Sequence, residues 1–267
     1  TMLCGLAEAA AGLGQAQPAD AAQDLGEPHA CLDWMGANHF TFLGYREYDY
    51  EPRSGDEPMR IIEGAGLGIL QDSARRIMVG REGFISSSPE VMQFLTRQEL
   101  LIITKANARS TVHRPVHLDY VGVRRFDAAG KVMGERRFVG LFTSAAYNRN
   151  PRDIPVLRRK VRRVVQRAGF PPQSHDGKAL LNILETYPRD ELFQIGEDEL
   201  YATAIGILLL QQRPRIGVFG RRDEFGRYVS FLVYVPRERY DSQLRMRIAE
   251  VLAAALNGRV SAFYTHL

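Results

Sequence analysis

The chain has 267 residues, 45% of them apolar and 25% charged, with a formal net charge of +4 and an isoelectric point near 9.1. That length can bury at least one good core and has room for two, and the mild basic excess suits nucleic acid or acidic ligands without requiring either. Two cysteines, Cys4 and Cys31, exclude a disulfide framework, and the longest apolar run, Ala202–Leu210, is too short to span a bilayer. The opening residues carry Glu8 and no basic group ahead of their apolar part, which makes a poor signal peptide, so the expectation is a cytoplasmic protein with no membrane partner.

Residues 1–30 are rich in Ala, Gly and Gln and predict one weak helix over Leu3–Leu13 followed by a loose linker. A short helix over Glu27–Ala37 carries the only tryptophan, Trp34. Phe40–Tyr50 reads as a strong aromatic strand, Met59–Glu63 as a second, and the glycine-broken Glu63–Leu70 as a turn into a third. Between Glu51 and Pro58 lies a charged loop, and Ser88-Pro89-Glu90 opens a short helix to Thr96.

Three further strands follow. Leu100–Ala106 is nearly continuous in apolar residues. Val116–Phe126 alternates, with Val116, Leu118, Tyr120 and Arg124 on one face and Asp119, Val121 and Val123 on the other. Val132–Thr143 is β-branched and aromatic, and Asp127-Ala128-Ala129-Gly130 joins it to its predecessor as a hairpin. After residue 150 the period changes to three or four. Helices are expected from a cap at Asp153 to Gly169, from a cap at Asp176 to Pro188, and over Glu197–Gln212. A hairpin (Ile216–Arg222 and Tyr228–Val235), a helix over Asp241–Leu256 and a strand over Arg259–His266 complete a ββαβ tail. With Thr1 at one end and a strand-like run at the other, the chain reads as cut from something longer.

The sequence holds no convincing catalytic constellation: no nucleophile elbow with a Ser-His-Asp set and no paired carboxylates. Gly64, Gly66 and Gly68 lack the third glycine of a dinucleotide fingerprint and open no helix, so a turn is the better reading. His113 and His117 are separated by Pro115 in an extended region, with no cysteine or carboxylate to complete a metal site. The polar connection between the fourth and fifth strands is the candidate effector site. Lys105, Asn107, Arg109, Ser110, His113 and Arg114 could hold a carboxylate or phosphate, with an arginine gripping it bidentately. The bland alternative is that they cap loop carbonyls or line a subunit interface. The basic run Arg158, Arg159, Lys160, Arg162, Arg163, Arg167 lacks interleaved aromatics, and a solvated or intersubunit face is preferred there to nucleic acid.

Several strings carry a resemblance: NHFTFLGYREY (Asn38–Tyr48), GLGIL (Gly66–Leu70), KANARSTVHRPVHLDYVGVRRFD (Lys105–Asp127), GLFTSAAYNRNPRDIPVLRRKV (Gly140–Val161), SHDGKALLNILETYPRDELFQI (Ser174–Ile195) and GRYVSFLVYVPRERY (Gly226–Tyr240). From about Trp34 onward the chain resembles the N-terminal region of the very large bacterial NAD-dependent glutamate dehydrogenases. The resemblance implies an α+β segment: a linker over 1–37, a PAS-like antiparallel sheet domain over 38–146, a helical connector over 147–214 and an incomplete ACT-like (ferredoxin-like) domain over 215–267. It implies a full-length enzyme that oxidatively deaminates L-glutamate with NAD, whose catalytic domain lies downstream. This segment is then expected to bind no cofactor itself. Its partners would be other domains and subunits of a homo-oligomer and an amino-acid effector. The rival readings are a pure assembly scaffold or, less favoured, a nucleic-acid-binding regulator.

Overall fold

The computed structural model describes residues 2–12, 26–50, 59–72, 74, 97–212 and 215–265. The expected helix over 89–96 and the loop over 51–58 lie outside them.

The largest body is an antiparallel sheet of six strands: β1 (Phe40–Tyr50), β2 (Met59–Ile61), β3 (Leu67–Gly68), β4 (Leu101–Arg109), β5 (His117–Phe126) and β6 (Val132–Phe142). The order is β2-β1-β6-β5-β4, with β3 also pairing β1, so β4 is an edge strand. The β5–β6 hairpin turns as its sequence predicts. Gly130 takes φ 77°, and the Asp127 carboxylate accepts from the amides of Ala129 and Lys131, both at 2.9 Å. The β1–β6 pair runs from Phe40 opposite Phe142 to Asp49 opposite Gly134, with a bulge between Phe42 and Gly44. At Gly140 a Cβ would lie 2.0 Å from the Thr41 carbonyl oxygen, so the two backbones meet with no room for a side chain. Gly140→Ala is expected to cost about 1–3 kcal/mol or more, read as a lower urea midpoint at unchanged slope.

Period-two alternation divides the sheet into two buried faces. Phe40, Tyr45, Val121, Val123, Phe138 and Phe142 point to one side and join the main core. Helices α1 (Met2–Gly12), α2 (Gly26–Trp34), α4 (Leu157–Ala168), α5 (His175–Thr186) and α7 (Glu197–Gln212) supply that core's other half. Leu118, Tyr120, Val139 and Leu141 point to the opposite side, with Ile102, Ala106 and Leu70. Two short helices, α3 (Ser144–Asn148) and α6 (Arg189–Gln194), fill the corners between sheet and bundle.

Local chemistry decides the helix ends. A 3-10 turn at Pro151–Asp153, capped by the Asn150 side chain, precedes α4, which is a correction to the expected cap at Asp153. Its far end stops at Gly169, which is left-handed at φ 68°. For α5 the cap is Ser174, whose Oγ accepts from the Gly177 amide at 3.0 Å, rather than Asp176. Farther on, β7 (Gly217–Arg222) and β8 (Val229–Tyr234) form a second, two-stranded sheet laid on α7, with Phe219 against Gly206 and Leu210 against Gly217. The last helix, α8 (Ser242–Ala255), is capped by Asp241 and buries none of its residues. Residues 259–265 are irregular and exposed, where a strand was expected. Their apolar side chains, Phe263 and Tyr264 among them, have no strand alongside to pair with among the described residues.

Candidate functional site at the sheet edge

Lys105 lies on the helix-facing side of β4. Its ammonium sits 2.6 Å from Asp119 Oδ1 on β5 and 2.8 Å from Asp190 Oδ1 on α6. The Tyr147 hydroxyl of α3 donates to Asp190 at 2.5 Å and lies 3.4 Å from Lys105 Nζ. Asp119 Oδ2 accepts from the Phe142 amide at 2.8 Å. Burial works against the charge on Lys105, but Asp119 and Asp190 outweigh it and hold the ammonium above its ordinary range. Burial likewise raises Asp119, against the pull of Lys105, and it raises the Tyr147 phenol. At neutral pH the cluster therefore holds a fixed cation and a protonated phenol. It offers no free amine nucleophile. A shallow crevice beside it is lined by Ile103, Thr104, Phe142, Phe193 and Gln194.

The other residues of the polar connection do not converge on that crevice. β4 continues through Arg109, which shortens the loop to residues 110–116. Asn107 Oδ1 accepts from Arg227 Nη1 at 2.9 Å. Ser110 Oγ donates to the Val112 carbonyl at 2.6 Å and accepts from the Val112 amide at 3.2 Å, closing the turn. Arg114 donates to the Phe142 carbonyl at 2.9 Å and sits over the Tyr147 ring. Arg109 and His113 face solvent, and His113 has φ 62°. Of the six candidates only Lys105 lines the crevice.

The basic run on α4 is distributed around the helix. Arg158 pairs with the largely buried Glu27 of α2 at 2.8 Å, and Glu27 also accepts from the Val156 amide, so one carboxylate serves the start of α4 twice. Arg163 meets Glu197 at 3.0 Å, Arg159 is half-buried and Arg162 is exposed. Lys160 turns inward.

Sequence reasoning missed the residues that tie the β7–β8 hairpin to β4 and α6. Arg227, in the connection between β7 and β8, donates to the Lys105 carbonyl at 2.6 Å, to Asn107 Oδ1 and to Thr104 Oγ1, while Asp223 holds its guanidinium at 2.7 and 2.8 Å. The Tyr228 hydroxyl donates to Gln194 Oε1 at 2.6 Å, and Thr104 Oγ1 reaches the same oxygen at 3.2 Å. Arg221 meets Glu191 at 2.7 and 3.1 Å. One signal was available: Asp119 falls on the same strand face as Val121 and Val123. A carboxylate on an apolar face needs a cation, and Lys105 is in register opposite it.

The glycine cluster does not fit a pyrophosphate. A Cβ at Gly68 would lie 2.3 Å from the Leu43 carbonyl oxygen of β1, and one at Gly66 would lie 2.6 Å from that of Leu70, so Gly68 serves close packing of β3 on β1 and Gly66 lets its own turn close. Among the described residues no group of three or more His, Cys, Asp or Glu is placed to hold a metal, and no helix is long and apolar enough to cross a membrane.

Residues 154–213 match the family described as glutamate dehydrogenase, helical motif 1, and residues 217–267 match glutamate dehydrogenase, ACT2 domain. The chain is 40% identical over 242 residues to the NAD-specific glutamate dehydrogenase of Halomonas elongata, covering 88% of this chain and 14% of that protein. It is 39% identical over 254 residues to the enzyme of that name from Pseudomonas aeruginosa, covering 95% and 15%, and 32% identical over 236 residues to that of Mycobacterium tuberculosis, covering 88% and 13%. The chain thus spans about one seventh of the length of these relatives. With helical motif 1 laid against the sheet and the ACT2 match beginning at the second hairpin, the chain belongs to the large NAD-specific glutamate dehydrogenases, as part of their N-terminal region.

Proposed function

We propose that this segment is a non-catalytic regulatory and assembly part of an NAD-dependent glutamate dehydrogenase, whose full-length protein oxidatively deaminates L-glutamate to 2-oxoglutarate and ammonia as NAD is reduced. The observation that carries the reading is the state of the polar residues at the sheet edge. Lys105, Asn107 and Thr104 are engaged by Asp119, Asp190, Gln194 and Arg227, which belong to three different parts of the chain. Such groups hold modules together and are closed to substrate chemistry. On this reading residues 38–146 are a PAS-like module, 147–214 a helical connector and 215–267 an incomplete ACT-like module, in a cytoplasmic homo-oligomer.

An amino-acid effector is the ligand class we assign to the segment. The ACT2 match favours it, and Arg109 at the end of β4 and Arg114 in the loop after it are exposed cations that suit its carboxylate. The test is a thermal-shift screen of the chain against the common amino acids and nucleotides, repeated with Arg109→Ala. A ligand at about a hundred times its dissociation constant stabilises by roughly 2.7 kcal/mol. A shift with one amino acid that disappears in the variant is the expected result. No shift with any compound, in a folded chain, would leave assembly as the segment's role.

A further inference from the structure

We propose that α6, the six-residue helix Arg189–Gln194, is the coupling element of this segment, set in place jointly by the sheet and by the β7–β8 hairpin so that a displacement of the hairpin is felt at β4. This goes beyond the regulatory reading and holds whether or not an effector binds.

Almost every residue of α6 is bonded to a different part of the chain. Arg189 donates to the Glu185 carbonyl at the end of α5 and to the Arg149 carbonyl after α3. Asp190 takes Lys105 of β4 and Tyr147 of α3. Glu191, the next residue, takes Arg221 of β7 through both carboxylate oxygens. Phe193 stacks on Phe142 of β6, with ring centroids 4.6 Å apart and planes at 2°. The carbonyls of Leu192, Phe193 and Ile195 accept from Lys160 of α4. Gln194 Oε1 accepts from both Tyr228 of the hairpin and Thr104 of β4.

Two physical points turn these contacts into coupling. A helix of two turns does not hold its shape alone, so the position of α6 is the resultant of its partners. Its adjacent carboxylates are neutralised from opposite sides, Asp190 by the sheet and Glu191 by the hairpin, so weakening one pair changes what the other must balance. Thr104 adds a direct link, since its hydroxyl accepts from Arg227 and donates to Gln194. Coupling of this kind needs an element that both ends bias, and α6 is a separate short element between its caps Pro188 and Ile195.

Hydrogen exchange on the whole chain tests the proposal. Glu191→Gln and Tyr228→Phe, singly and together, loosen only the hairpin side. The expected result in the double variant is exchange about fivefold faster or more at Leu101–Ala106 of β4, with Gly134–Arg137 at the far end of β6 unchanged. Arg163→Ala, which removes a surface pair to α7, should leave both strands as they were. Faster exchange in the hairpin with β4 unmoved would overturn the proposal. If the double variant exposes every amide alike, Tyr228→Phe alone, which deletes one hydroxyl, decides between the same two outcomes.

Discussion

Glu135→Ala is expected to be the most damaging single substitution in the described sheet, costing about 3–5 kcal/mol. Glu135 is fully buried on the face of the sheet away from the helices. Its Oε1 accepts from the Tyr120 hydroxyl at 2.5 Å and from Arg137 Nε at 2.7 Å. Its Oε2 accepts from the Tyr50 hydroxyl at 2.7 Å and lies 3.5 Å from Arg124 Nη1. Arg137 is sandwiched between the Tyr48 and Tyr120 rings, at 3.9 and 4.9 Å. Alanine would remove the carboxylate that both buried guanidiniums share and take away the acceptor for the Tyr50 and Tyr120 hydroxyl protons. Small domains are stable by only about 5–15 kcal/mol, so the loss is a large fraction of the total. Denaturant titration checks it, and Glu135→Gln, which keeps the shape and loses the charge, should fall between alanine and the parent.

The same carboxylate sets a pH dependence. Burial alone would raise its pKa, but Arg137 and then Arg124 hold it below the ordinary 4.5. Its contribution to stability is therefore complete above about pH 4.5 and is lost as the pH falls through the lower folded value. In Glu135→Gln the acid limb of the stability curve should flatten over that window.

Lys160→Met is expected to cost about 3 kcal/mol, the order set by leaving buried acceptors unmade. The ammonium donates to the Ile195 carbonyl at 2.6 Å, to Leu192 at 2.8 Å and to Phe193 at 3.3 Å, so its three protons satisfy the open end of α6. A cation at a helix C-terminus is also favoured by the helix dipole. Burial pushes Lys160 down to about 8, which leaves it protonated at pH 7. Methionine fills the same space and supplies no donor, so the loss measures the cap itself. Faster exchange at Ile195 and Gly196, with α5 unchanged, would place it.

The strands were legible because their alternation is strong. Phe40–Tyr50 was expected and is observed with the same bounds, and β5 and β6 differ from expectation by one residue at one end. The bounds of α7 also agree with its apolar run. Two buried faces could not be read so easily, because each looks alone like the inside of a one-sided sheet. Arg124, Glu135 and Arg137 share a face with Leu118, Tyr120, Val139 and Leu141, and only their pairing in space shows why charges occur there. α6 was missed because six residues give no measurable period. Lys160 looks like its basic neighbours in the sequence, although it points the other way from Arg158 and Arg162 on the helix. The expected last strand has the composition of a strand, but residues 259–265 form no ladder.

Steady-state kinetics of the full-length enzyme carrying Arg109→Ala and Arg114→Ala test the regulatory assignment most directly. The assignment predicts kcat and KM for glutamate and NAD within about twofold of the parent without effector, with the half-maximal effector concentration raised about tenfold. A tenfold or greater fall in basal kcat/KM for glutamate would contradict it, since that is the signature of residues that serve the reaction itself.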